Sequence, residues 1–169
     1  MTINTRTFRN ALSQFVTGVT VVTGMTRRGT PVGVTVNAFA ALSLKPPLVL
    51  VCLQRATRGL SAFIDGAGFA VNVLSEGQRH LSVQFAGRFD RRFKGVAFER
   101  GEGGCPILAG CLAAFECAPV AAHDGGDHII LIGRVERLHG APAGRPLVYF
   151  RSGYRRLGGM APAQPPKRR

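Results

Sequence analysis

Apolar residues near the start of the chain recur at three- and four-residue steps, the spacing that places them on one face of a helix. The residues that share this spacing are Phe8, Ala11, Leu12 and Phe15. Thr5 or Thr7 is available as the N-cap, and Gly18 ends the pattern. The next segment, Val19–Thr23, is β-branched throughout, which predicts a strand.

Strict alternation of apolar and small or polar residues begins at Val32 and predicts a second strand that continues to Phe39. Its two faces carry Val32, Val34 and Val36 on one side and Gly33, Thr35 and Asn37 on the other. We therefore expect this strand to pack against a core on one side and to present a surface of small and polar side chains on the other.

Further segments of the same kind predict a fold built mainly from strands. The predicted strands are Leu48–Leu53, Phe69–Leu74, Leu112–Ala122, His128–Leu138 and Leu147–Phe150. The predicted helices are Thr57–Ile64 and a segment from a Ser75 cap to about Phe85, followed by a basic turn at Arg88–Phe93. This order predicts a mainly β fold with short helices, a closed or nearly closed antiparallel barrel whose ends the helices cover.

The chain shows neither an internal repeat nor a linker, so residues 1–157 are predicted to form one domain. Residues 158–169 contain three prolines and end in Lys167, Arg168 and Arg169, which predicts a disordered Pro/basic tail.

Composition adds a strong positive charge, because 22 basic and 9 acidic residues give a formal net charge of +13. Such a chain attracts anions, and nucleic acid, an acidic membrane surface and phosphorylated cofactors are all candidates. No apolar run reaches the roughly 18 residues that cross a bilayer, and the first residues lack the apolar centre of a signal peptide. We expect a cytoplasmic protein that binds neither membrane nor nucleic acid.

The four cysteines, Cys52, Cys105, Cys111 and Cys117, form no C-x-x-C pair and have no nearby histidine at zinc-finger spacing. We therefore predict no metal site. Structural disulfides are not expected in a reducing compartment, although the sequence leaves a Cys111–Cys117 contact open. Cys52 lies in the apolar run Pro47–Leu53, where a small buried thiol is the more common role.

Four segments carry residue types that suit a binding site. Gly33–Ser43 places Thr, Asn and Ser beside small residues, so that a flat ring can approach backbone N–H groups. Gln54–Arg58 follows a strand and precedes a predicted helix, where free N–H groups and two arginines suit a phosphate. Phe85–Asp90 combines an aromatic ring, a glycine and an arginine, and His128 opens a β-branched strand.

Each of these segments also has a structural interpretation. In the same order, these are a strand that enters a turn, a solvated loop, a basic turn with one buried Phe, and a hydrogen-bonded histidine. From the residues alone the structural interpretation is favoured for Gly33–Ser43 and for His128. The sequence contains neither a P-loop nor a βαβ unit with G-x-G-x-x-G, which argues against a Rossmann nicotinamide site.

Taken together and in order, several segments match one known family. They are Phe8–Ala11, Phe15–Thr23, Gly33–Leu48, Phe69–Leu74, Phe85–Arg88, Gly126–Val135 and Tyr149–Tyr154. Over residues 8 to 157 the chain resembles the short-chain flavin reductases, the reductase components of two-component flavin monooxygenases. The resemblance implies a homodimeric FMN-binding split β-barrel that uses NADH or NADPH to reduce FMN or FAD.

The resemblance also implies a set of flavin contacts. Near the isoalloxazine ring it places Thr35, Asn37, Ala38 and Ser43, and Val36 and Cys52 are counted among the contacts as well. Near the phosphate it places Gln54 and Thr57, and along the ribityl phosphate or adenine side it places Phe85, Ala86, Gly87 and Arg88. Tyr154 matches an aromatic near the same pocket, and His128, the candidate catalytic residue, matches a histidine beside the nicotinamide and flavin rings.

Two other functions remain open at this stage. In the first, the reduced flavin stays bound and delivers electrons to a cobalt corrinoid or a ferric chelate instead of leaving for a partner monooxygenase. In the second, the chain is a small basic barrel that binds nucleic acid, but most of its Phe residues lie in apolar patterns and Trp is absent. Whether His128 acts as an acid or base or only shapes the pocket also stays open, since hydride transfer needs no side-chain proton.

Overall fold

The computed structural model describes residues 3–140 and 143–158, so residues 159–169 of the predicted tail lie outside the described part. The α-helices within it are α1 (Thr5–Leu12), α2 (Leu60–Ile64) and α3 (Arg79–Ala86). Single turns of 3₁₀ helix occupy Glu76–Gln78 and Phe89–Arg91. The strands are β1 (Thr17–Gly18), β2 (Thr20–Met25), β3 (Pro31–Val36), β4 (Phe39–Leu44), β5 (Pro47–Gln54), β6 (Phe69–Val73), β7 (Phe98–Arg100), β8 (Pro106–Leu108), β9 (Ala113–Gly125), β10 (His128–Gly140), β11 (Val148–Phe150) and β12 (Gly153–Arg155).

Seven strands form one antiparallel sheet in the order β3-β2-β6-β9-β10-β5-β4. β3 and β4 lie at opposite edges of this sheet, although only Asn37 and Ala38 join them along the chain. Because so short a link spans only about 10 Å, the sheet must curl until its edges approach each other. The Ala38 carbonyl accepts a hydrogen bond from the Cys52 N–H of β5 at 3.0 Å, which fixes the link there. The result is a split barrel, and the predicted fold class is confirmed.

Apolar side chains fill the inside of the curled sheet. They are Val22, Val32, Val36, Val49, Val51, Leu53, Ala62, Phe63, Phe69, Val71, Cys117 and Leu131, with Val34 packed against them. Full burial of a side chain such as Phe63 contributes about 1.5–3 kcal/mol to folding. The valine face predicted for β3 therefore lies where the alternation places it.

The opposite face of β3 is covered by α3 instead of forming an open polar surface. Phe85 of α3 is fully buried, and a methyl group at Gly33 would lie 2.6 Å from its ring, so only a glycine admits the ring at this position. The Thr35 hydroxyl donates to the Ser82 carbonyl of α3 at 2.7 Å. The small and polar residues of β3 thus serve helix packing as well as any surface role.

A buried polar network ties β2, β6 and β8 together. The Asn72 side-chain amide donates to the Val21 carbonyl and to the Thr23 hydroxyl, both at 3.0 Å. The same side chain accepts from the Leu108 N–H at 2.9 Å, and the Thr23 hydroxyl lies 2.5 Å from the Pro106 carbonyl. Since Asn72 and Thr23 are completely buried, these bonds replace the water that both side chains lose.

Helix α1 begins and ends at residues other than those predicted. Its N-cap is Asn4, not Thr5 or Thr7, because the Asn4 side chain accepts from the N–H groups of Arg6 and Thr7. The helix ends at Leu12, so Phe15 lies beyond it.

Two other predicted elements differ in length. The strand predicted over Val32–Phe39 ends at Val36, since the chain must cross there to the other edge of the sheet. The helix predicted over Thr57–Ile64 begins only at Leu60, after Gly59 in the left-handed region with φ of 80°. The hairpin of β7 and β8 was not predicted, because strands of three residues leave no clear periodicity.

One buried carboxylate, Glu116, holds the loop between β7 and β8. It accepts from the Gly103 N–H at 2.7 Å, and its other oxygen lies 2.6 Å from His139 Nε2. Burial alone raises the pKa of Glu116, but the bonds from His139 and Gly103 and the nearby charge of Arg137 outweigh it and hold the pKa below its ordinary value of 4.5.

This arrangement predicts a loss of stability in acid. Because the pKa of Glu116 is lower in the fold than in the unfolded chain, its contribution is complete above pH 4.5 and is lost as the pH falls through the folded value. We expect the difference in unfolding free energy between wild type and Glu116→Gln to shrink between neutral pH and pH below 4.5, measured by urea denaturation. A difference that stays constant across this range would contradict the prediction.

Candidate functional site

A cavity of about 680 Å³ lies at the split of the barrel, where β3 and β5 face each other without pairing. Its size falls within the roughly 300–1,000 Å³ usual for small-molecule sites. The predicted residues that line it are Thr35, Val36, Asn37, Ala38, Cys52, Gln54, Thr57, Ala86, Gly87, Arg88 and His128. Segments distant in sequence therefore meet here, because the sheet curls.

The link between β3 and β4 offers free donors to this cavity. Within the described residues, the backbone N–H groups of Asn37 and Ala38 make no hydrogen bond to other protein groups. Both residues are exposed, and the Ala38 side chain is a single methyl group. A flat ring that carries carbonyl oxygens can therefore approach the backbone here and accept from it.

Positive charge borders the cavity on the side of α3 and the turn after it. Arg88 is 75% exposed and makes only long contacts of 3.4 Å with Asp90, so its guanidinium is available to an anion. Arg92 is more constrained, because it donates to the Gly33 carbonyl at 2.7 Å and to the Gly87 carbonyl at 3.2 Å. Burial lowers the pKa of Arg92. Arg58, in the loop after β5, also lines the cavity.

His128 enters the cavity from the first position of β10, opposite Gln54 of β5. Its Nδ1 lies 2.7 Å from a carboxylate oxygen of Asp127. The hydrogen bond with His128 lowers the pKa of Asp127. When Nδ1 donates to the ionised carboxylate, a neutral imidazole carries its lone pair on Nε2.

The β9–β10 turn before His128 is held by Arg55. Its Nε donates to the Gly126 carbonyl at 2.8 Å, and its terminal nitrogen lies 2.5 Å from the Asp124 carboxylate. Arg55 was predicted as part of a phosphate site at a helix N-terminus. It is occupied by these partners, and α2 begins only at Leu60, so Gln54 and Thr57 line the cavity as loop residues.

Three predicted flavin contacts lie away from the cavity lining. Ser43 is on the edge strand β4, where it pairs with Leu48. Phe85 is buried against Gly33, with its ring 4.9 Å from that of Phe93. Tyr154 is on β12, and its hydroxyl lies 2.8 Å from that of Ser82.

Seven further residues line the same cavity, and they are Val34, Leu53, Ala56, Arg58, Phe89, Asp90 and Arg92. All but Leu53 and Arg92 lie within the candidate segments, although none of the seven was named as a flavin contact. One signal was present, since positions 88–94 contain four cations in seven residues directly after α3. Such a cluster at the end of a helix is a reason to expect anion contacts.

The cysteines outside the cavity are poor nucleophiles. All four thiols are free. Burial raises the pKa of Cys105 and Cys111 to about 11 and that of Cys117 to about 12, so these thiols stay protonated. Among the described residues, no group of three or more His, Cys, Asp or Glu side chains is arranged to hold a metal ion.

A second hollow of about 860 Å³ adjoins the first and is mainly apolar. Asn37, Ala38 and Cys52 line both hollows. The second one extends over the end of α1, where Leu12 and Phe15 are 56% and 76% exposed.

No helix in the described part of the chain is long and apolar enough to cross a membrane.

Comparison with known proteins places the chain among flavin enzymes. A family model described as the flavin reductase like domain matches residues 12–158. The chain is 43% identical over 154 residues to the reductase subunit HsaB of a flavin-dependent monooxygenase from Mycobacterium tuberculosis, which covers 90% of this chain and 82% of that protein. It is 48% identical over 134 residues to the FMN reductase (NADH) SmoA from Agrobacterium fabrum, at 79% and 76% coverage.

A solved structure agrees with these matches. The crystal structure of nitrilotriacetate monooxygenase component B from Mycobacterium thermoresistibile superposes with a TM-score of 0.89 at 40% identity. The match covers 96% of this chain and 92% of that one. The likeness therefore extends over nearly the whole length of both chains.

The contact between Gly33 and Phe85 predicts a site that is sensitive to one methyl group. In Gly33→Ala the new carbon would meet the Phe85 ring at 2.6 Å, and α3 would have to move away from β3. We expect a loss of about 1–3 kcal/mol in unfolding free energy, measured by urea denaturation. Gly77→Ala, where the added carbon meets nothing within 4 Å, is the control, and equal midpoints for the two variants would refute this account.

Proposed function

Since the chain belongs to the flavin reductase like family, we propose that it uses NADH or NADPH to reduce FMN or FAD. The observation that carries this proposal is the cavity at the split, which combines unpaired backbone donors, a basic border and a histidine. When both nucleotides are bound, the nicotinamide supplies a hydride to the flavin ring, and the protein has to position the two.

The link residues Asn37 and Ala38 bind the flavin ring in this proposal. Their N–H groups point to no protein acceptor and can donate to the ring's carbonyl oxygens. Negative charge increases on that side of the ring during reduction, so donors fixed by the fold stabilise it. Because the side chain of Ala38 is only a methyl group, the ring can approach the backbone at this position.

The basic border binds the phosphate. Arg88 is the most available group, because its two contacts with Asp90 are both long and solvent-exposed. Two nitrogens of the Arg92 guanidinium donate hydrogen bonds to backbone carbonyls, so Arg92 mainly holds the turn in place. The +13 charge of the chain also attracts both anionic nucleotides.

His128 shapes the part of the cavity next to the β9–β10 turn. Asp127 fixes its ring through Nδ1, so the imidazole offers a steady face and edge to a bound nicotinamide. Hydride transfer requires no proton from it, and we assign it a positioning role instead of acid–base chemistry.

A monooxygenase is the proposed recipient of the reduced flavin, because the HsaB relative is named as the reductase subunit of a flavin-dependent monooxygenase. In this arrangement flavin is a substrate that enters and leaves. The cavity supports this, since it opens to solvent at exposed residues such as Asn37 and Arg88.

A second copy of this chain is the proposed cover of the apolar hollow. Leu12, Phe15 and Val16 line it and are more than half exposed, and clustered exposed apolar side chains of this kind mark an interaction surface. Because Asn37, Ala38 and Cys52 line both hollows, the second copy would also form a wall next to the flavin site.

The central experiment follows nicotinamide absorbance when purified protein receives NADH with and without added FMN. Oxidation of NADH only with added FMN supports a diffusible flavin substrate. A yellow protein whose colour survives gel filtration and bleaches with NADH supports a retained flavin instead. If neither FMN nor FAD supports oxidation of NADH or NADPH, the proposed activity is wrong.

Removal of the Arg88 guanidinium tests the phosphate assignment. A charge-assisted hydrogen bond contributes about 1.5–3 kcal/mol, so Arg88→Ala should raise the KM for FMN about tenfold or more. Arg100→Ala, on the exposed strand β7, is the matched control and should leave the KM unchanged. Equal KM values for the two variants would remove Arg88 from the site.

Charge placed in the apolar hollow tests the second copy. Phe15→Glu should shift the protein from dimer to monomer in sedimentation velocity, because a carboxylate cannot be buried there without a partner. Val83→Glu, which replaces an equally apolar residue that is 56% exposed on α3, should leave the sedimentation coefficient unchanged. A monomeric wild type at micromolar concentration would overturn the dimer.

A further inference from the structure

The side chain of Gln84 makes an unusual set of bonds next to the basic border. Its amide nitrogen lies within 3.0 Å of three backbone carbonyl oxygens, those of Arg91, Arg92 and Lys94. An amide has only two hydrogens, so the three acceptors share them. Gln84 is on α3, and its acceptors are all on the turn that follows, so one side chain ties the turn to the helix.

The tied segment is the one that supplies charge to the cavity. Arg88, Phe89, Asp90 and Arg92 belong to it and line the cavity. The Arg92 guanidinium anchors the same turn from the other side, to the carbonyls of Gly33 and Gly87. Within the described residues, Gln84 and Arg92 are the side chains whose hydrogen bonds join this turn to the helix and to β3.

The turn needs such anchors because its positively charged side chains repel one another. Four cations, Arg88, Arg91, Arg92 and Lys94, lie within seven residues, and Asp90 is the one acidic residue among them. Repulsion between like charges favours an extended, mobile segment. The Gln84 amide opposes it by a local bond to carbonyls that the 3₁₀ turn leaves with spare acceptor capacity.

We propose that Gln84 is a positioning residue for anion recognition, which holds the turn 88–94 so that Arg88 faces the phosphate of the flavin. This rests on the proposed function, in which the cavity binds FMN or FAD. Gln84 itself lies outside the lining of the cavity and acts through the turn.

The proposal predicts a selective loss. Loss of a group that only supports the fold would weaken the binding of all ligands of the cavity alike. Loss of a group that positions Arg88 should weaken the binding of FMN, which has a phosphate. It should leave the binding of riboflavin, which has the same ring without a phosphate, unchanged. The ratio of the two affinities therefore measures the role of Gln84 separately from stability.

The test requires a variant that lacks the side-chain donor of Gln84, because all three of its partners are carbonyl acceptors. Gln84→Leu keeps the size and removes the donor. Val83→Ala, on the exposed face of the same helix, is the control.

Binding is measured without NADH, by quenching of flavin fluorescence, for FMN and for riboflavin. In Gln84→Leu we expect the preference for FMN over riboflavin to fall roughly fivefold, because a displaced Arg88 loses most of its contact. In Val83→Ala the preference should stay at the wild-type value.

Limited trypsin digestion provides a readout that needs no ligand. Trypsin cleaves after the four cations of the turn, and Gln84→Leu should be cut there faster than wild type and Val83→Ala. A preference for FMN that stays unchanged in Gln84→Leu, including the case in which both flavins bind equally more weakly, would overturn the proposal. If wild type binds neither flavin, the proposed function fails, whereas the digestion still reports whether Gln84 holds the turn.

Discussion

The short link between β3 and β4 is the constraint on which the rest of the structure depends. These strands are the two edges of a seven-stranded sheet, yet only Asn37 and Ala38 separate them along the chain. A flat sheet would place its edges far more than two residues apart, so the sheet has to curl. The curled sheet creates the inner core, and the incomplete closure at the link creates the cavity. Fold and site therefore have one origin.

Helix α3 connects this barrel to the charged side of the site. Phe85 packs against Gly33, and the Thr35 hydroxyl bonds to the Ser82 carbonyl, so the helix is fixed to β3 at two points. The basic turn follows directly from the end of this helix, so the position of the helix determines the position of the turn. The same strand thus determines where the ring-binding link lies and, through α3, where the arginines lie.

Sequence reasoning was most successful where periodicity and local chemistry agree. The alternation of Val32, Val34 and Val36 correctly predicted the core face of β3. It did not predict the end of that strand at Val36, because a crossing between sheet edges is set by tertiary structure. Asn4 was missed as the cap of α1, since Thr5 and Thr7 are also good caps and only the geometry distinguishes them.

The family resemblance selected residues on β3, β5, α3 and β10, and the structure brings most of them to one cavity. Their contacts with flavin stay a prediction. Phe85 and Tyr154 lie instead in the packing around α3, because the resemblance does not distinguish a residue that lines a cavity from one that supports it. Arg92 was not selected, since a run of cations does not reveal which members turn inward.

The three residues shared by the two hollows, Asn37, Ala38 and Cys52, have a thermodynamic consequence. A molecule that binds one hollow alters the environment of residues that form the other. If its affinity depends on what covers the second hollow, reciprocity requires that it change the affinity of that cover by the same factor. Ligand occupancy and self-association would then be coupled equilibria, and a titration of either would depend on the total protein concentration.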